Sequence, residues 1–464
     1  MNSSAVAQPP PKGKGAGGVR IAWLEKAALA AIILGIITGA KVLGGNINLR
    51  VYTFVVLAVF FLRLEFMAAI IGRNPRLWLS LFSFLMACLA SMFNAVNLEM
   101  GMKQIVLIST FMLVPLAMTA LIIKRPGNVS IILFWVVLGA FIANVNGYID
   151  PFYRYKAQGW LTGFGRPQSF FTEANEYGQF MVMIWGYFLA MIVLRSSSKR
   201  LRRAGLLSAL LMFPVFLINN SRGSYLGFAL ECILIGWLLF RSEPFRYFFK
   251  VSALGLGLMV GSMVMAYGIA SLIPTINGDT VADWIVGRML SFTSGDDPTT
   301  QLRASQQRSG YQAMLDHPLT GAGIGNLMYY LNERTELAES GVQKGPTATS
   351  AFWLTDLLGE TGLFGTLAMG LVIAVLIWQA YRNYLFQRGG PLECMAAGSF
   401  LSINGMLLNG VSYPPIYLSF FWLNVGMCVQ LSYLREIGYR AEAKGPEMER
   451  RLEAGALRPG PRPA

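Results

Sequence analysis

Long apolar runs separated by short polar breaks set the pattern of this chain. About 20 consecutive apolar residues are needed to carry a helix across a bilayer. Twelve intervals fit: 22–44, 51–71, 77–96, 103–123, 128–148, 174–194, 205–219, 223–241, 248–272, 350–380, 393–411 and 414–433. Lipid offers the backbone no hydrogen-bonding partner, so each interval must close its bonds internally as a helix. The expected fold class is therefore all-α, a polytopic integral membrane protein of about twelve transmembrane helices. A membrane domain over 21–434 is flanked by polar, Pro/Gly-rich tails at 1–20 and 435–464, both expected to be disordered. The longest polar break, 273–349, falls between the ninth and tenth spans.

Composition sharpens this picture. Of 464 residues, 54 % are hydrophobic and 13 % charged, with mean hydropathy +0.50, against roughly 25 % charged in a soluble domain. The net charge of +14 raises nucleic-acid binding, but the positions of the charges exclude it. Basic residues fall in alternate loops, at Arg73/Arg76, Lys124/Arg125, Lys199 to Arg203, Arg241/Arg246 and Arg382/Arg388, and again in the C-terminal tail. The positive-inside bias then puts both termini in the cytoplasm and the 273–349 loop on the outer side of the membrane. The four cysteines, Cys88, Cys232, Cys394 and Cys428, lie inside apolar runs and are expected to pack rather than pair.

Two outward loops carry arginines against that bias: Arg154 and Arg166 in 150–173, and Arg288, Arg303, Arg308 and Arg334 in 271–350. Long loops tolerate such charge as solvated surface, whereas an anionic ligand at the membrane face would use it. Arg222 is sharper, because it sits in Asn219-Asn220-Ser221-Arg222-Gly223, a turn between two spans. An arginine at that depth either snorkels to the interface or presents its guanidinium to a phosphate. Glu173 and Glu176 open the sixth span behind Thr172, the expected N-cap. They complement the helix dipole, and Glu173 is also a candidate base. Asp356 and Glu360, four residues apart, share one face of the tenth span a turn or two inside the membrane, where carboxylates pair or line a cavity. Arg63 and Glu65 are read as structural.

The 273–349 loop opens with TVADWIVGRMLSF, whose Trp284, Ile285 and Met289 suit an interfacial helix. A helix is expected over 302–316, ended by His317-Pro318 and followed by Gly321, Gly323 and Gly325. His317, the chain's single histidine, either caps that helix or serves as a general base. Fourteen residues separate it from Arg303, ~21 Å along an unbroken helix, so the two cannot hold one phosphate. No zinc spacing, Walker motif, dinucleotide fingerprint or nucleophile elbow appears.

Four stretches together resemble the O-antigen ligase and polymerase superfamily of bacterial membrane proteins. They are Arg166 through Asn175, Ser221-Arg222-Gly223, His317 through Gly325, and Glu360-Thr361-Gly362-Leu363-Phe364-Gly365. The resemblance covers residues 140–380. It implies a glycosyltransferase that moves a glycan from a polyprenyl (undecaprenyl) diphosphate to a hydroxyl on a glycan or lipid A-core acceptor. It implies a multi-pass protein of a bacterial inner membrane with its site facing the periplasm, membrane lipid around that site, and no metal, cofactor or nucleotide sugar. Arg166, Arg222 and Arg288 or Arg303 would bind the diphosphate, and His317, Glu173 or Asp356 would act as base. The ligases of the family carry a His-Asn pair eleven residues before the Glu-x-Gly glycine, and this chain has Ala351-Phe352 there. A polymerase is therefore the leading reading, a ligase the second. A secondary transporter or flippase is the rival class, disfavoured because the long loop is external and follows the ninth span.

Overall fold

The computed structural model describes residues 17–39, 51–158, 167–171, 173–219, 221–242, 310–327, 329–330, 352–410 and 414–439, with scattered positions between 247 and 308. The described residues are helical, with no β-strand among them. The helices are α1 (Gly17–Thr38), α2 (Val51–Leu62), α3 (Met67–Arg73), α4 (Pro75–Ser91), α5 (Leu98–Ala120) and α6 (Val129–Gln158). They continue as α7 (Ala174–Val193), α8 (Lys199–Asn219), α9 (Arg222–Ser242), α10 (Trp353–Gln387), α11 (Glu393–Asn409) and α12 (Ser419–Glu436). These helices fall on eleven of the twelve apolar intervals, α2 and α3 sharing one, while 248–272 is described only at scattered positions.

Seven of the described helices are long and apolar enough to cross a membrane, or eight if the bent pair α2–α3 counts as one span. That number leaves the expected twelve open, since 248–272 lies mostly outside the described residues and α11 and α12 are helices of a different kind. α11 has 17 residues, ~26 Å at 1.5 Å per residue against a hydrocarbon core of ~30 Å. α12 carries Asn424, Gln430, Ser432 and Arg435 within its 18 residues. Both are held by protein neighbours, with most of their side chains buried.

Sequence explains the main bends and starts. Asn97 caps α5, its side-chain oxygen accepting the Met100 N–H at 2.9 Å, and Pro75 opens α4 at a position that needs no N–H donor. The 71° bend between α2 and α3 falls at Arg63. Its guanidinium reaches the buried Glu25 on α1 at 2.9 Å, and Arg125 reaches the same carboxylate at 3.4 Å. That confirms Arg63 as a structural residue, because a charge in an apolar run persists when it is paired.

α7 is the axis of the bundle: 94 % of its most apolar stretch is buried inside protein, and it packs on α8, α9 and α11. Small residues let the backbones close. A Cβ at Gly186 would meet the Ser402 hydroxyl at 2.6 Å, and one at Gly227 would meet the Gly405 carbonyl at 2.6 Å. Around this axis α10 packs on α4, α11 and α12, and α5 packs on α12. Apolar side chains such as Leu79, Phe82, Ile233, Leu367 and Trp378 face outward, where lipid meets them. Cys88, Cys394 and Cys428 are buried as expected; Cys232 instead is exposed on the outer face of α9.

α10 is not continuous. Gly362 has φ 61° and ψ −161°, breaking the helix after Thr361. The break is filled by the turn that follows His317. The Ala322 and Gly323 N–H groups donate to the carbonyls of Gly359 and Glu360 at 2.8 and 3.0 Å. Leu363 and Phe364 N–H donate back to Pro318 and Leu319 at 2.9 and 3.2 Å. A Cβ at Gly362 would lie 2.5 Å from the Leu319 carbonyl, and one at Gly321 would lie 2.4 Å from that of Glu360.

Gly362→Ala is expected to lower the thermal midpoint of the detergent-solubilised protein. The backbone strain is worth about 1–3 kcal/mol, and the clash adds to it. Gly370→Ala in the same helix has open space around it and should leave the midpoint unchanged or raise it. Equal midpoints for the two variants would refute this account of the break.

Candidate active site at one end of the bundle

The motifs singled out in the sequence gather where α6, α8 and α11 end and α7, α9, α10 and α12 begin. Asn219, at the end of α8, donates to the carbonyls of Pro167 and Ala174, both at 2.8 Å. The Ser221 hydroxyl donates to the Asn175 side-chain oxygen at 3.4 Å. Gly178 on α7 leaves room for the turn: a Cβ there would sit 2.4 Å from the Ser224 hydroxyl and 2.8 Å from Ser221 Cβ. Asn409, closing α11, donates to Ser224 Oγ at 3.2 Å. The segment after Arg166 is pinned to α6, since Asp150 accepts the Gln168 and Ser169 N–H groups at 2.8 and 3.2 Å. Ser169, held at φ 54°, donates its hydroxyl to the Ala143 carbonyl at 2.7 Å. Two of the four motif stretches are thus one hydrogen-bonded junction, with the starts of α7 and α9 side by side.

The other two stretches meet in the broken helix described above, and Trp353 N–H joins that region to the first by donating to the Gly410 carbonyl at 3.3 Å. On its far side the glycine turn is bound to the α4–α5 connection. Asn94 donates to the Thr320 hydroxyl at 2.8 Å and the Gly321 carbonyl at 3.0 Å. Ile324 N–H reaches Ser91 Oγ at 3.0 Å, and Asn97 N–H reaches the Asn326 side-chain oxygen at 2.6 Å. The glycines are close approaches to protein: beyond Gly321 and Gly362, Gly323 abuts Ala95 and Gly325 abuts Gln104. All three glycines of the turn take positive φ. The turn is a packed and bonded unit.

The candidate residues are placed unevenly. Arg166, Arg288 and Arg303 lie outside the described residues, as do Trp284, Ile285 and Met289. Arg222 is the first residue of α9, and its side chain is outside the described set. Glu173 is the N-cap of α7 in place of Thr172; it is exposed, and its side chain makes no cap bond. His317 ends a helical segment over 310–316, as expected. Its N–H donates to the Ala313 carbonyl at 3.1 Å, and its half-buried ring stands edge-on to Tyr330, centroids 6.1 Å apart. Tyr330 in turn donates to Asp316. Asp356 is 3 % exposed and lines a small pocket with Trp353, Leu357, Glu360, Pro414, Ile416 and Tyr417. The shared face of Asp356 and Glu360 is therefore real.

Sequence reasoning missed Tyr417, whose hydroxyl donates to Glu360 Oε2 at 2.7 Å, and the amides Asn94 and Asn97. A polar residue in a short connection gives no hint of a distant partner, here 57 positions away for Tyr417 and more than 200 for Asn94 and Asn97.

Together, fold and site define a multi-pass helical membrane protein with a polar, motif-bearing end. Residues 207–370, from α8 through the broken helix, match the family model described as O-antigen ligase. The match spans three of the four motif stretches. The chain is also 20 % identical over 347 residues to the teichuronic acid biosynthesis protein TuaE of Bacillus subtilis (strain 168), covering 74 % of this chain and 68 % of that protein.

Asn219→Ala is expected to destabilise the junction, since it strips two buried carbonyls of their donor at about 1–3 kcal/mol each. Asn219→Asp should do the same, because a carboxylate cannot donate. Chromatographic monodispersity after a heat step measures both, and a variant as robust as the wild type would contradict the assignment.

Proposed function

We propose that this protein is a membrane glycosyltransferase that moves a glycan from a polyprenyl diphosphate to a hydroxyl acceptor, and most specifically a polysaccharide polymerase. The observation that carries the reading is the junction of the Ser221-Arg222-Gly223 turn with the Pro167–Asn175 segment. It sets Arg222 at the start of α9, beside the start of α7, where two helix N-termini favour a bound anion. A diphosphate leaving group needs charge stabilisation as the anomeric C–O bond breaks, and a guanidinium supplies it by bidentate hydrogen bonding. Arg166 precedes the pinned Pro167 and is the second candidate; Arg288 and Arg303 come from the adjoining loop. The attacking hydroxyl needs a base, for which His317, Asp356 and Glu173 remain the candidates.

Orientation follows from charge. Arg73, Arg76, Lys124, Arg125, Lys199 and Arg435 sit at the ends of helices remote from the motif junction, which supports a cytoplasmic placement for them and a periplasmic one for the site. The name of the Bacillus relative supports a role in building a cell-surface polysaccharide. The ligase alternative needs its base pair where this chain has Ala351-Phe352, and Phe352 is the N-cap of α10 with its carbonyl taken by Thr355 and Asp356 N–H. That favours the polymerase.

Deleting the gene and resolving the cell's polysaccharide on a gel separates the readings. Single repeat units indicate a lost polymerase; free lipid-linked polymer beside unmodified acceptor indicates a lost ligase; an unchanged pattern defeats both. In reconstituted protein, Arg222→Ala should cost about 10²-fold or more in kcat. Arg222→Lys should stay impaired because a point charge does not replace the planar fork. Full activity of Arg222→Lys would remove the bidentate role, and an unchanged rate for a folded His317→Ala would remove His317 as base.

A further inference from the structure

Glu231 lies near the middle of α9 and is fully buried. Neither of its carboxylate oxygens has a hydrogen-bond partner among the described residues. α9 packs on α7 and α11, and the carboxylate rests against the α11 backbone: a Cβ at Gly405 would stand 2.2 Å from Glu231 Oε1. One turn along α11, Asn409 also faces α9, since a Cβ at Gly227 would meet Asn409 Cβ at 3.2 Å. Its NH₂ donates to Ser224 Oγ at 3.2 Å, while its buried Oδ1 receives nothing from the described residues. The α9–α11 interface thus gathers three oxygen acceptors, and no described residue donates to them.

We propose that Glu231 is the ligand of an exchangeable monovalent cation, a proton or a sodium ion, held between α9 and α11. Either species neutralises the carboxylate. The site is separate from glycan transfer, because nine residues divide Glu231 from Arg222 along α9, ~14 Å at 1.5 Å per residue.

A bare carboxylate in the interior of a membrane protein is costly, and an apolar side chain would fill the interface without that cost. The neighbouring hydroxyls do not meet the charge. Tyr187 on α7 gives its proton to Asn424 Oδ1 at 2.6 Å, and Ser402 on α11 gives its own to the Met183 carbonyl at 2.5 Å. Tyr177 on α7 donates to Asn144 Oδ1 at 2.9 Å, and Tyr225 on α9 to the Leu217 carbonyl at 3.3 Å. Charged groups on the three helices stand at their ends. Arg222 and Arg241 are nine and ten residues from Glu231, Glu173 and Glu176 open α7, and Glu393 opens α11. Of the thiols, Cys232 is exposed on the outer face of α9, and Cys394 pairs with Ser197 at the start of α11. Buried oxygens that lack both a donor and a counter-ion attract a cation, and in a membrane interior such a carboxylate marks an ion site. Gly405 supplies the room that the carboxylate occupies against α11.

The experiment uses the full chain in nanodiscs and reads its thermal midpoint across pH, in potassium buffer with and without added sodium. Wild type is compared with Glu231→Gln, whose amide keeps the shape and carries no charge at any pH. If the cation is a proton, the wild-type midpoint falls relative to Glu231→Gln as pH rises, and sodium changes neither protein. If it is sodium, added sodium raises the wild-type midpoint where potassium does not, and Glu231→Gln ignores both. Either rise should be on the order of 2 °C for each tenfold increase in the bound cation. Parallel curves for the two proteins, in pH and in sodium, overturn the proposal and leave a buried water or a fixed proton beside Glu231. Should Glu231→Gln fail to fold, Glu231→Asp draws the carboxylate back by one methylene. The pH or sodium concentration of half effect should then shift, and an unshifted value overturns the proposal as well. Glycosyl transfer is not the readout, so failure of the transferase reading leaves this result standing.

Discussion

Backbone polar groups inside a bilayer must be bonded within the protein, and the break of α10 at Gly362 makes that demand acute. An ordinary helix ends with several N–H and carbonyl groups unpartnered, a tolerable state in water and a costly one in lipid. Here the break is closed by four reciprocal bonds between residues 318–323 and 359–364. Those bonds require that the loop segment enter the helix, and its glycines are the condition for entry. Ser91, Asn94 and Asn97 then bind the loop from the other side. The α4–α5 connection, α10, the α11–α12 connection and the turn after His317 are consequently one mechanical unit.

How much of this was readable in the sequence depends on whether the signal is local. Apolar runs gave the helices, because burial in lipid acts on each segment by itself. The i,i+4 spacing of Asp356 and Glu360 gave their shared face, and His317-Pro318 gave the end of the preceding helix. The break at Gly362 was hidden, since glycine within an apolar helix is common in membranes and nothing nearby names the loop that replaces its hydrogen bonds. Tyr417 was hidden because its partner is 57 residues away. Asn219 drew notice only as part of the turn around Arg222, and its partners, the carbonyls of Pro167 and Ala174, leave no mark on a sequence. Hydropathy also does not see that α11 and α12 are covered by protein neighbours, since that burial comes from other segments.

The two ends of the bundle solve the problem of polar groups differently. Among the described residues, four of the five ion pairs lie at the basic end, including the buried Glu25 shared by Arg63 and Arg125. The fifth, Lys103–Glu99, is an exposed pair at the start of α5. Around Arg222 the scaffold is made of amides, hydroxyls and carbonyls: Asn175, Asn219, Ser221, Ser224 and Asn409. A neutral scaffold fixes geometry without cancelling the positive ends of α7 and α9. The carboxylates near that junction are Asp150, which accepts the Gln168 and Ser169 N–H groups, and Glu173 and Glu176 at the start of α7, with Glu173 turned to the exterior. Rigid neutral bonds hold the turn, and under the proposed transferase function they leave the positive helix ends available to an anionic donor.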